Sequence, residues 1–158
     1  MTARGTLLNE ELRVKSEELK LPRGLRNNNP LNIRLSKDRW QGLMALQEDR
    51  EFFQFETMAY GWRAAFVILC RTYYKKYGLK TITDIIYRWA PPKENNTMAY
   101  IRRVSGYISI GPDRQLGDPA THPTQWMLLA VAMAVVECGT ARLDYLSMLK
   151  GFSLAMEE

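Results

Sequence analysis

Apolar positions along the chain change spacing three times, and each change predicts an element. Residues 7 to 20 are rich in Leu, Glu and Lys, with Leu8, Leu12 and Leu19 as a thin apolar stripe. That pattern predicts a helix, which Pro22 and Gly24 end. Two short aromatic and aliphatic stretches, Trp40 to Leu46 and Phe52 to Phe55, are joined by the charged segment Gln47 to Glu51 and predict a β-hairpin. From Trp62 the period becomes helical: Trp62, Phe66, Leu69, Tyr73 and Tyr77 recur every three or four residues up to Gly78. Thr81 and Asp84 frame a capping box before Ile82, Ile85, Ile86 and Trp89, and Pro91-Pro92 stops that helix. Asn95, Asn96 or Thr97 caps the next, which carries Tyr100, Ile101, Val104 and Ile108. Pro123 opens a nearly all-apolar helix to Val136 that Gly139 ends, and a helix apolar on every side belongs at the centre of a bundle. Residues 142 to 150 complete the set with a short helix. The expected fold is mainly α (α+β), with one small hairpin near the front. Residues 1–22 form a leading helix and 23–158 the domain proper.

Composition changes this picture little. With 158 residues, 46% of them hydrophobic, one core suffices for one domain. Basic residues number 22 against 17 acidic, an excess that suits nucleic acid, an anionic wall polymer or acidic lipid. The densest basic stretch, Arg71 to Lys76, is interleaved with Tyr73 and Tyr74, and no nucleic-acid motif accompanies it. Cys70 and Cys138 sit within helical patterns and read as small buried hydrophobes. His122 is the single histidine, so zinc-ligand clusters and Ser-His-Asp chemistry lack their parts, and a helix-capping position is expected for it. No metal or cofactor is expected. The N-terminus lacks an apolar signal core and the run Trp126 to Val136 is too short to span a bilayer. The chain therefore reads as cytoplasmic when synthesised.

The densest chemistry lies in Arg23-Gly-Leu-Arg-Asn-Asn-Asn-Pro-Leu-Asn-Ile-Arg34. Asn tolerates left-handed backbone and bonds its own main chain, and Pro30 holds Asn29 extended, so an ordered irregular loop is expected. Its amides suit neutral polar ligands such as sugars and its arginines suit carboxylates or phosphates. Together with Trp40-Gln-Gly42, Asp49-x-x-Phe-x-x-Phe55, Gly61-x-Arg63-Ala64 and Arg88-Trp-Ala-Pro-Pro-x-Glu-Asn-Asn-Thr97, this loop resembles a phage and prophage family. Members of that family are often labelled virion structural proteins and are thought to be lysozyme-like. The order of Asn28-Asn29-Pro-Leu-Asn-Ile33, Trp40-Gln-Gly42 and Phe52 to Phe55 is also distantly similar to autolysin-type glucosaminidases. The resemblance implies a lysozyme-like helical fold with a saccharide cleft between helical body and hairpin, and peptidoglycan or a related glycan as partner. Other virion proteins are further expected partners, in a particle or after release to the cell wall.

Cleavage of a glycosidic bond needs a carboxyl to protonate the leaving oxygen and commonly a second to activate water or steady the oxocarbenium ion. Glu18 lies where the related enzymes end their catalytic helix, although their Glu-Ser-Gly-Trp-Gly string is absent. Asp49 on the hairpin and Glu94 in the polar loop after Pro91-Pro92 are the other candidates. Asn28, Asn29, Asn32, Asn95 and Asn96 are candidate sugar contacts, with Trp40, Tyr60 and Trp89 as stacking surfaces. Arg63, with Arg26, is a candidate for peptide-stem carboxylates. The alternative is a non-catalytic lysozyme-like module that binds glycan or builds the virion.

Overall fold

Orphan N–H groups at helix starts are met by side chains wherever the sequence supplies a short polar residue, and this fixes the order of elements. The structure, a computed structural model, describes residues 3–157, and of residues 3–7 and 17–19 the backbone alone. The helices are α1 Ala3–Lys20, α2 Arg23–Arg26, α3 Met58–Phe66, α4 Ile82–Trp89, α5 Thr97–Ile108, α6 Pro123–Cys138 and α7 Tyr145–Met156. The chain is mainly α-helical, as its periodicity predicts. Thr57, Thr81, Asn96 and Asp144 accept from the backbone N–H of Tyr60, Asp84, Ala99 and Ser147, capping α3, α4, α5 and α7. Of the three cap candidates for α5, Asn96 takes the position. His122 stands at the cap position of α6, but its ring meets the Thr121 hydroxyl instead of a helix N–H. Gly139 ends α6 at φ +68°, a left-handed turn that costs glycine little.

The long helix expected from Trp62 to Tyr77 is one continuous rod with two windings: α3, then a π-wound stretch Val67–Lys76. Tyr73 is buried and Tyr74 packs edge-on against Trp126, ring centroids 5.3 Å apart. The aromatic members of the basic cluster thus belong to the core and leave only its cations outside. Helix α6 is the centre: Trp126, Leu129, Ala130, Val131, Ala132, Met133 and Ala134 are all buried. Helix α5 packs along α6, and α3 pairs with α7. The latter approach depends on Gly151, where an added Cβ would stand 2.4 Å from the Trp62 Cβ and 2.7 Å from the Ala59 carbonyl oxygen. Helix α7 begins at Tyr145 and extends past the expected end to Met156, because Phe152 gains an edge-on contact with Phe66 at 5.0 Å. No helix among the described residues is long and apolar enough to cross a membrane.

One expectation is corrected. The hairpin does not form as paired strands; it is reduced to isolated antiparallel bridges, Arg34 with Phe52 and Leu43 with Phe55. Residues 51 to 56 run between two irregular segments. On one side Leu35, Phe53 and Phe55 donate to Glu51, Ile33 and Asn27 carbonyls; on the other Met44 and Glu56 donate to those of Gln54 and Gly42. Side-chain amides interrupt each ladder, so no regular sheet propagates. On α1, Leu8 and Leu12 are 57% and 58% exposed.

Candidate functional site

The asparagine loop is a scaffold in which most amides face inward. Asn28 and Asn32 both adopt φ 52°, left-handed backbone that Asn accepts more readily than other side-chain-bearing residues. Asn29 is wholly buried; its Nδ2 donates to the Ile33 and Phe53 carbonyls at 3.0 and 2.9 Å, and its Oδ1 accepts from Ile33 N–H at 2.9 Å. Asn28 donates to the Phe55 carbonyl at 3.0 Å. Its own carbonyl lies so close to Gly61 that a Cβ there would come within 1.8 Å of it, which seats the loop on α3. Asn28 and Asn29, expected to reach sugar, therefore hold the loop's shape.

Asp49 is the hub of the same scaffold. Arg23 grips it with two bonds of 2.7 Å, Asn27 donates at 3.0 Å, and the Glu51 and Phe52 backbone N–H groups donate at 2.9 and 3.1 Å. The Arg23 bond above all, then the backbone and Asn27 donors, hold its carboxyl well below the usual aspartate range. A carboxylate so reluctant to take a proton, with both oxygens engaged, is a clamp between α2 and the 49–52 turn.

Asn32 differs from its neighbours. Its Nδ2 lies 3.3 Å from Glu137 Oε1, and it lines a pocket of about 260 Å³ with Ile33, Arg34, Phe52, Tyr73, Trp89, Ala90, Pro91, Glu94, Asn95 and Glu137. Glu137, half-buried near the end of α6, is the single charged residue of that helix. Its Oε2 lies 2.9 Å from the Tyr100 hydroxyl and 3.4 Å from Trp89 Nε1. Tyr100 is buried, and burial first, then Glu137, pushes its hydroxyl well above the ordinary tyrosine range, so it stays protonated. That hydroxyl has a second acceptor in the Met133 carbonyl at 3.4 Å. It can donate to a Glu137 carboxylate, or accept from a Glu137 carboxylic acid while turning its own proton to Met133.

Of the residues expected from sequence, the pocket gathers Asn32, Trp89, Glu94 and Asn95. Glu94 is exposed at the rim, and among the described residues no hydrogen bond or ion pair engages its carboxylate. Asn95 donates to the Pro91 carbonyl at 3.2 Å, and Asn96 is spent as the α5 cap. Trp40 packs against the core with its indole N–H buried, and Tyr60 lies beneath Gly42, whose φ of +76° and missing Cβ admit the ring. Arg63 sits half-buried on α3 and is not among the lining groups; burial and neighbouring Arg71 lower its proton affinity. Glu18 is on α1, and its carboxylate lies outside the described side chains. Sequence reasoning passed over Glu137 and Tyr100. The available signal was a lone carboxylate on an otherwise uncharged, buried helix, an arrangement costly unless it serves a purpose.

Fold and site together define a mainly helical protein with a small, partly closed, acidic hollow between an asparagine-rich loop, the α4–α5 connection and the end of α6. Protein P5 of Pseudoalteromonas phage PM2 is 43% identical over 133 residues, covering 82% of this chain and 79% of that protein, and the chain belongs to its family. The kinship to phage proteins expected from the 23–34 motif thus holds. No family model matches the chain.

Proposed function

We propose that the protein binds the glycan of bacterial peptidoglycan in this hollow and cleaves it, as a lysozyme-like phage protein carried in the virion or released to the wall. One observation carries the reading: a half-buried carboxyl, Glu137, poised between Tyr100, Trp89 and Asn32, with a second carboxyl, Glu94, lining the same pocket. In this reading Glu137 gives its proton to the leaving glycosidic oxygen, and Tyr100 turns to donate to the carboxylate left behind. Glu94 accepts the proton of a water whose oxygen bonds to the anomeric carbon, the division of labour that paired carboxylates have in glycosidases. Trp89 and Asn32 border the sugar, and Asn95 faces it from the rim. The pocket is slightly smaller than the roughly 300 Å³ at which ligand clefts begin, room for a single ring at the cleavage point.

Purified peptidoglycan sacculi provide the test, followed by turbidity and by release of reducing ends. Wild type should clear them, and Glu137→Gln and Glu94→Gln should each slow clearing by about 100-fold or more, the usual worth of a general acid or base. A wild-type protein that neither clears nor sediments with sacculi from several wall types would sink the proposal. The three donors already turned onto Glu137 favour a second reading, a glycan-binding module without hydrolysis. Sedimentation without clearing would select it.

A further inference from the structure

We infer that a second cavity, between the π-wound stretch, the turn at 118–120 and the end of α7, is a binding site for a small carboxylate with a compact apolar body. It shares no lining residue with the hollow around Glu137 and does not rest on the glycan reading. Its volume, about 240 Å³, is close to that of the hollow.

The floor is apolar: Cys70, Pro119 and Ala155 are buried and Tyr74 is half-buried. The charged lining is two cations, Arg71 and Lys75, against one carboxylate, Asp118. Asp118 spends one oxygen on its own turn, accepting from the Ala120 N–H at 2.8 Å. Arg63, on the same rod, stands near enough to Arg71 for the two to repel. Among the described residues none of these three cations takes part in an ion pair, and the exposed Glu157 carboxylate forms none with Arg71. Half-buried Arg71 instead donates from Nη2 to the Glu157 carbonyl. A partly desolvated guanidinium without a carboxylate, beside a second arginine, is costly, and a bound anion offsets that cost.

The π winding puts the charge over the floor. In an α-helix Lys75, five positions after Cys70, would stand about 140° round the axis from it. The wider π turn brings position i+5 back towards the same face, so Cys70, Tyr74 and Lys75 line one cavity. Such windings are rare and are frequent at functional sites. The lining's excess of one positive charge matches a monoanion, and the apolar floor asks for a hydrocarbon part that a bare inorganic anion lacks.

The test is a titration of the full chain followed by amide NMR with three probes: hexanoate, hexan-1-ol and acetate. Hexanoate should shift the signals of residues 70–75, 118–120 and 155–156 and saturate. Hexanol, without the charge, and acetate, without most of the apolar body, should each bind at least about tenfold more weakly. Lys75→Gln, at an exposed position, should weaken hexanoate by about threefold and Arg71→Gln by about tenfold. Arg71→Gln also frees the Glu157 carbonyl, so Ala120→Leu supplies an independent check. Ala120 is exposed at the rim, and a leucine there should block the cavity and abolish the shifts while circular dichroism and Tm stay as in wild type. Hexanol binding as tightly as hexanoate, unsaturable shifts, shifts confined to the Glu137 hollow, or full binding by a folded Ala120→Leu would each overturn the inference.

Discussion

Asp49→Asn separates the scaffold from the site. Asparagine keeps the shape of the side chain and one acceptor oxygen, but replaces the other with an NH₂ that must face donors. The cheaper orientation leaves the Glu51 and Phe52 N–H bonds on the remaining oxygen and turns the NH₂ towards Arg23 Nε and Asn27 Nδ2. The ion pair is worth little, because the Arg23 side chain is 41% exposed and solvent screens it. Asn27 is only 5% exposed, so losing its acceptor costs about 1 to 2 kcal/mol. A loss of that size corresponds to a fall in Tm of about 2–8 °C for a chain of this length. The sign with pH follows from the direction of the shift. Asp49 binds a proton less readily folded than unfolded, so its contribution is complete above about pH 4, the unfolded value, and fades as pH drops below it. Thermal unfolding followed by circular dichroism between about pH 3 and pH 7 should show wild type and variant converging on the acid side. Binding to sacculi, measured well below either Tm, should be retained. A Tm unchanged at pH 7 together with lost binding would return Asp49 to the site and refute the assignment made here.

Asn29→Ala should cost about 3 kcal/mol, because the Ile33 N–H and the Phe53 carbonyl lose their partner inside the core; chemical denaturation would report it, and a loss under about 1 kcal/mol would mean that water replaces the amide. Cys70 and Cys138 are free and buried, their thiols pushed up to about 12 and about 11 by desolvation first. Both should resist a thiol reagent near pH 8 in the native protein and react once denaturant is added; prompt native labelling would show that the burial is not maintained.

Helices were legible wherever periodicity and a cap agreed. Thr81 with Asp84, Pro123 and Gly139 do what their residue types dictate, and the all-apolar run after Pro123 is the buried centre. The hairpin was not legible. Trp40 to Leu46 and Phe52 to Phe55 carry the aromatic and aliphatic residue types of strands, but the Gln47, Asp49 and Gln54 side chains occupy backbone partners that a ladder requires. A period-2 pattern registers which residues face the core and says nothing of which N–H groups have been claimed by amides.

The site was half legible for a related reason. An asparagine in a turn is drawn equally by its own backbone and by a ligand, and composition does not tell the two apart. Asn28 and Asn29 went to the backbone, whereas Asn32, with the same left-handed φ, points its amide towards α6, 105 positions away in the chain. That contact, beside the Cys138 thiol's bond to the Pro30 carbonyl, makes the loop one wall of a hollow. The opposite wall is Glu137, which local patterning discounts because it ends an apolar run. Placing a carboxylate at the inner end of the most buried helix demands partners, and the chain supplies three donors from three separate segments: Asn32, Trp89 and Tyr100. Glu137 is the group around which the pocket is arranged, and chemistry should be sought there first.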